Sequence, residues 1–261
     1  MILEVKNLSV SYQTKEGFTE ALDKVSFELK EGEILGLVGE SGCGKSTFAY
    51  SVLDLLSQDT IKKGEIIFDR ENIFNLSPKD LENLRANKIG LIFQEPASTF
   101  NPVLSIEYQF REILKNKLKI RENKKIEKII LEALDKVRLP DAERIIKSYP
   151  HQLSGGQLQR VAIAMAISLG PKILIADEPT SSLDVTIESQ IVNLFKDLKE
   201  QLNLTIIFIT HNLDLVKALC DRVVVLYQGR VLEISDVKEL FINPKDSYTK
   251  ELLVSLKEIE E

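Results

Sequence analysis

The chain has 261 residues, 44% of them hydrophobic and 28% charged, and carries a formal net charge of −6. High apolar content with a small net charge excludes a disordered chain and provides for one large domain or two modest ones. The acidic balance argues against broad nucleic-acid binding, which needs a basic face, and no apolar run approaches the ~18–20 residues of a membrane-spanning helix.

In chain order, the start "MILEVKNLSV" lacks the basic region and apolar stretch of a secretory signal. "ILEVKNLSV" and "VSFELK" alternate polar and apolar residues, as half-exposed strands do. "EILGLVG" (33–39) is almost continuously apolar, which predicts a strand buried on both faces, followed by a helix from Lys45 to Leu56. "GEIIFD" (64–69) and "IGLIFQ" (89–94) predict two more strands, separated by a polar helix opened by "SPKDLENL". From Ile106 to Ser168 the apolar spacing turns helical. Strands return at "KILIAD" (172–177), "LTIIFIT" (204–210) and "RVVVLY" (222–227), with helices between them. That alternation is the pattern of a mostly parallel sheet covered by helices, here with a helical segment inserted. The basic stretch "KNKLKIRENKKIEK" (115–128) is interrupted by glutamates and isoleucines, and is expected to be a solvated helical face rather than a lipid-binding patch.

Three stretches carry chemistry. "GESGCGKS" (39–46) fits G-x-x-x-x-G-K-S between a buried strand and a helix. Gly39, Gly42 and Gly44 let the backbone bend so that successive N–H groups face a phosphate. Lys45 supplies a point charge and the Ser46 hydroxyl suits Mg²⁺. Cys43 lies inside this loop, where its backbone is expected to be what matters, although Lys45 and a helix N-terminus also offer conditions for a reactive thiol. "ILIADEPT" (173–180) is an apolar strand ending in two carboxylates, costly unless they meet a cation or a proton. Asp177 is expected to reach Mg²⁺, and Glu178, directed the other way by strand alternation, to polarise an attacking water. His211 follows "IIFIT" at the carboxyl end of a strand, where ligands bind in open α/β sheets, and is expected to hold a γ-phosphate and water in line. His151 is expected to be structural or capping. "LSGGQLQR" (153–160) offers a second hydroxyl and bare N–H groups to an anion ahead of a helix. Cys43 and Cys220, the two cysteines, show no metal-ligand spacing, so a disulfide framework or zinc site is not expected and the protein is expected to be cytoplasmic.

The order and spacing of "GESGCGKST", "LSGGQ", "ILIADE", "SSLD" and His211 resemble those of ATP-binding cassette (ABC) ATPase domains over nearly the whole chain. The resemblance implies a P-loop NTPase α/β core with a mostly parallel sheet, an N-terminal antiparallel β subdomain and an inserted α-helical subdomain. It implies one ABC domain over 1–261: core and β subdomain in 1–95 and 169–240, helical subdomain in 96–168, short C-terminal extension in 241–261. Gly39, Glu40, Ser41, Gly42, Cys43, Gly44, Lys45, Ser46 and Thr47 would hold ATP, with Tyr12 stacked on adenine. Leu153, Ser154, Gly155, Gly156 and Gln157 would bind the nucleotide of a partner cassette paired head to tail, which accounts for a second anion site. Ser181, Ser182, Leu183 and Asp184 resemble the loop crossing that interface. Glu178, His211, Lys45 and Gln94 would be catalytic, and Ser46, Gln94 and Asp177 would meet Mg²⁺.

"FQEPASTFNPVLSI" (93–106) resembles the region after the glutamine in peptide and nickel importer ATPases, with Thr99-Phe100 in place of the usual Ser-Leu. "LFINPKDSYTKELLVSL" (240–256) resembles the C-terminal stretch of that branch, with Asp246-Ser247 where His-Pro is usual. The cysteines of an iron–sulfur tail are missing, so no cluster is expected. The resemblance thus implies the ATPase of a peptide importer, or of a nickel or metallophore importer of the same branch. Its partners would be a second cassette, the same or different, two transmembrane permease subunits and, indirectly, an external solute-binding protein, with no nucleic acid. It would lie peripherally on the cytoplasmic face of the membrane. A soluble ABC clamp acting on nucleic acid or the ribosome is the alternative from another class.

Overall fold

The computed structural model describes residues 1–15 and 17–257. The last four positions of the expected extension, 258–261, lie outside the described residues. The chain divides into two compact units, one formed by Met1–Glu82 with the chain from Thr205 onward, the other by Asn83–Leu204.

The first unit begins with β1 (Leu3–Thr14) and β2 (Gly17–Leu29), an antiparallel pair in which Leu3 faces Leu29. Alternation alone would turn Leu8 outward after Leu3 and Val5. Asn7, at φ 48, takes up an extra residue and keeps Leu8 and Val10 in the core. Lys24, at φ 49, does the same between Leu22 and Val25. β3 (Ile34–Val38) is wholly buried and leads through the glycine-rich loop into α1 (Lys45–Val52). The predicted helix ran to Leu56. It stops four residues earlier because Asp54 enters the left-handed region at φ 48. The Asp54 and Leu55 N–H groups then donate back to Ser51 O and Tyr50 O, at 3.0 and 2.8 Å, a Schellman closure. β4 (Ile61–Phe68) pairs antiparallel with β1, and β5 (Glu71–Asn72) completes the order β2-β1-β4-β5. The polar helix α2 (Pro78–Asn87) follows.

In the second unit β6 (Ile89–Ile92) leads to α3 (Pro96–Thr99), α4 (Ile106–Leu118), α5 (Asn123–Lys136), α6 (Ala142–Lys147) and α7 (Gly155–Ser168). Ile106, Phe110 and Leu114 on α4, and Ile126, Ile130, Ala133 and Leu134 on α5, recur at three- and four-residue steps and are buried. Most of 115–128 between them is exposed or half-buried, with Ile126 turned inward. Arg160 on α7 donates to Val137 O, just past α5, at 2.7 Å. Its other guanidinium nitrogen donates to Gln190 Oε1 at 3.1 Å, on the helix α8 (Val185–Leu202). Before α8, β7 (Ile173–Asp177) is buried throughout and runs parallel to β6, Ile92 facing Ala176.

The chain returns to the first unit with β8 (Thr205–Thr210), α9 (Leu213–Leu219), β9 (Arg222–Tyr227) and β10 (Arg230–Asp236). β3 lies between β8 and β9 and is parallel to both, while β10 is antiparallel to β9. Arg222 donates to Glu33 Oε1 at 3.1 Å, and Asp221 accepts the Ile34 N–H at 2.7 Å, which fixes the start of β3. α10 (Val237–Ile242) and α11 (Ser247–Lys257) close the unit over a core of Val38, Leu213, Val216, Val223, Val225, Leu240 and Leu253.

Candidate nucleotide site

In the first unit the stretch 39–47 folds as a tight loop capping α1. Gly39, Gly42 and Gly44 have φ of 155, 82 and 110, conformations that an L side chain rarely adopts. Two of them also lack room: a Cβ would stand 2.0 Å from Leu226 O at Gly39 and 2.5 Å from Ala21 O at Gly44. The Gly229 N–H donates to Cys43 O at 3.0 Å, so the β9–β10 turn holds the back of the loop. Buried Lys45 donates from Nζ to Gly39 O at 2.7 Å and Glu40 O at 2.8 Å. The Tyr12 hydroxyl stands 3.2 Å from Thr47 Oγ1, which brings the aromatic expected at adenine to the start of α1. His211 directly follows Thr210, the β8 partner of Val38, so it and Gly39 leave neighbouring strands at the same level.

The second unit carries the carboxylates. Asp177 is the last residue of β7 and is buried. Glu178 accepts from Gln94 Nε2 at 2.9 Å, joining the residues that follow β6 and β7. Ser154 is the N-cap of α7 and closes a reciprocal capping box with Gln157. Ser154 Oγ accepts the Gln157 N–H at 3.3 Å, and Gln157 Oε1 accepts the Ser154 N–H at 3.1 Å. Gly155 and Gly156 then offer the unbonded N–H groups of a first helical turn. A Cβ on Gly156 would come within 2.7 Å of Ile187 Cγ2, and one on Gly155 within 3.4 Å of Leu183 Cδ2. The 181–184 loop therefore lies against the 153–157 loop, with Asp184 capping α8 by accepting the Ile187 N–H at 3.0 Å.

Residues 22–181 match the family described as ABC transporter. The chain belongs to the ABC transporter family. It is an ATP-binding cassette with the ATPase activity of that family. It is 42% identical to the oligopeptide transport ATP-binding protein OppD of Bacillus subtilis, over 99% of this chain and 73% of that protein. It is 43% identical to the dipeptide transport ATP-binding protein DppD of the same species, over 98% of this chain and 76% of that one. Among solved structures, the dimeric bacterial ABC transporter cassette MJ0796 superposes with a TM-score of 0.80 at 31% identity, covering 90% of this chain and 99% of that one. The cbiO1 cassette of Clostridium perfringens gives 0.79 at 32% identity, covering 99% and 96%.

Within the cassette two expectations are corrected. Glu178 does not continue the alternation of β7: the strand ends at Asp177 and Glu178 turns to φ 44, so that turn and Gln94 set its direction. Cys43 is not an activated thiol. It is buried, and desolvation pushes its pKa up, outweighing the lowering by Lys45. His151 sits in a 3₁₀ turn (Pro150–Gln152) with its ring stacked 5.7 Å from that of Tyr149. Leu226 and Gly229, which wall the phosphate loop, were not anticipated at the site. Their only sequence signal is the turn "YQGR" after an apolar strand.

Proposed function

We propose that this cassette is the energy-coupling ATPase of a peptide importer. The similarity to oligopeptide and dipeptide transport ATP-binding proteins over nearly the whole chain carries the proposal. The cassette acts peripherally at the cytoplasmic face of a membrane, paired with a second cassette and docked on two permease subunits. An external solute-binding protein delivers the peptide to that permease. No helix among the described residues is long and apolar enough to cross a membrane itself. The division of labour is a nucleotide core with β subdomain (1–95, 169–240), a helical subdomain (96–168) and an extension from 241.

The N–H groups of the 39–47 loop cradle the phosphates of ATP, Lys45 neutralises charge on them, and Tyr12 stacks on the adenine. Ser154, Gly155 and Gly156 meet the γ-phosphate bound by the partner cassette. Glu178, oriented by Gln94, accepts a proton from the attacking water, and His211 keeps that water and the γ-phosphate aligned. Among the described residues no three His, Cys, Asp or Glu gather around a metal position. Ser46, Gln94 and Asp177 supply hard oxygen donors, which suits Mg²⁺ carried mainly by nucleotide phosphates. When bound, Mg²⁺ would neutralise charge developing on the phosphoryl oxygens.

Tagged Glu178→Gln protein purified gently from its own membranes with ATP tests the proposal. The expected result is a closed assembly with two permease subunits and a second cassette, with turnover reduced at least ~100-fold. Deleting the gene should abolish uptake of labelled peptide. Recovery solely with ribosomes or DNA, or loss of nickel uptake while peptide uptake persists, would refute it.

A further inference from the structure

The C-terminal extension reaches the phosphate loop of its own unit. Glu233 on β10, itself buried, accepts the N–H groups of Lys245 and Asp246, each at 3.1 Å. Asp246 in turn accepts the Tyr248 N–H at 2.8 Å and sets the first turn of α11. Thr249, the next residue, is fully buried. The Tyr248 ring consequently lies 4.2 Å from the Tyr227 ring, tilted by 39°. It also packs against the core cluster that contains Val38, the last strand residue before Gly39.

Tyr227 belongs to the turn whose Gly229 N–H holds Cys43 O. The Tyr248 hydroxyl is sealed from solvent with no partner at full hydrogen-bonding distance. The groups close enough to act on it are Glu40, through backbone and carboxylate, and Cys43, both in the loop. Burial pushes its phenol up to about 12, so it keeps its proton at neutral pH. A buried hydroxyl without a partner is costly, and Glu40 is the neighbouring group able to supply one.

We infer that Tyr248 is a positioning residue for ATP, bracing the phosphate loop through Tyr227 and clasping Glu40 with its hydroxyl when the loop closes on phosphate. The extension is then part of the nucleotide site rather than an appendage. The inference rests on the assignment of 39–47 as the ATP loop.

Equilibrium binding of labelled ATP to the full chain, with Glu178→Gln throughout to stop turnover, provides the test. Tyr248→Phe keeps the ring and removes the hydroxyl. It should weaken ATP binding about three- to tenfold, the range of one hydrogen bond, without lowering the melting temperature. Glu40→Ala should weaken binding as well, and the double variant should bind no worse than the weaker single one. ATP affinity unchanged in Tyr248→Phe, losses that add in the double variant, or a loss that merely follows a lowered melting temperature would overturn the inference. Lys45→Ala separates the layers. If it keeps ATP, the loop assignment falls and the inference with it; if it loses ATP while Tyr248→Phe does not, the brace alone falls.

Discussion

The phosphate loop and the 153–157 loop share a vocabulary of serine and glycine ahead of a helix, yet they need their glycines for different reasons. At Gly39 and Gly44 the backbone itself is in a conformation closed to other residues, and neighbouring carbonyl oxygens fill the space where a Cβ would go. At Gly155 and Gly156 φ is ordinary. What excludes a side chain at Gly156 is Ile187, in the first turn of α8, and at Gly155 almost nothing does. One loop is closed on itself around its own cation, Lys45, which donates to Gly39 O and Glu40 O. The other is an ordinary helix start whose cap is already satisfied by Gln157, with Gly155 exposed and Gly156 buried behind it. Similar composition thus hides one site shaped by conformation and one shaped by packing.

Gly39→Ala breaks the first loop most severely. The added methyl meets a backbone oxygen that cannot move without β9, so a loss of about 3–5 kcal/mol in denaturant unfolding is expected, together with loss of ATP binding. Gly156→Ala meets a β-branched side chain, which yields more easily, and should cost about 1–3 kcal/mol by the same measurement. Gly155→Ala sharpens the contrast further. Stability should stay within ~0.5 kcal/mol, since a helical first turn accepts alanine, while ATPase activity of the paired cassettes falls. A normal rate in that variant would show that close backbone approach is not needed there. The smallest effect concerns Cys43. Its native thiol should react with iodoacetamide more slowly at neutral pH than a free cysteine, and recover ordinary reactivity in denaturant. Because its folded pKa lies above the ordinary value, the thiol ionises first in the unfolded chain. Its contribution to stability is complete below the ordinary thiol pKa and declines as pH rises through that range.

Much of this architecture was legible because β3, β7 and β8 are short apolar runs that end in chemistry, and such runs can be placed without knowing their neighbours. The glycine spacing of 39–44 likewise marks a bend that a side chain resists, and all three glycines have positive φ. Glu178 could not be placed that way. Alternation holds only inside a strand, and the left-handed turn at Glu178 has no local signal in a non-glycine residue. The reactive-thiol option at Cys43 fails for a related reason: Lys45 beside it is visible in sequence, the burial that outweighs Lys45 is not. The Glu33–Arg222 pair joins residues from distant parts of the chain, and the Tyr227–Tyr248 stack depends on how α11 folds back on β9, where pattern reasoning has no purchase.

The position of β3 between two strands drawn from the last quarter of the chain has a consequence for biosynthesis. Its partners Ile206 and Arg222, and the Gly229 amide that holds Cys43, are translated about 170–190 residues after the residues they bond. At roughly 5–20 residues per second, the phosphate loop of a nascent chain waits on the order of 10–40 s for the strands that shape it. The antiparallel β1–β2 pair is complete long before then. During that interval an almost wholly apolar strand stands without its final partners, a stretch of the nascent chain open to aggregation or to a chaperone.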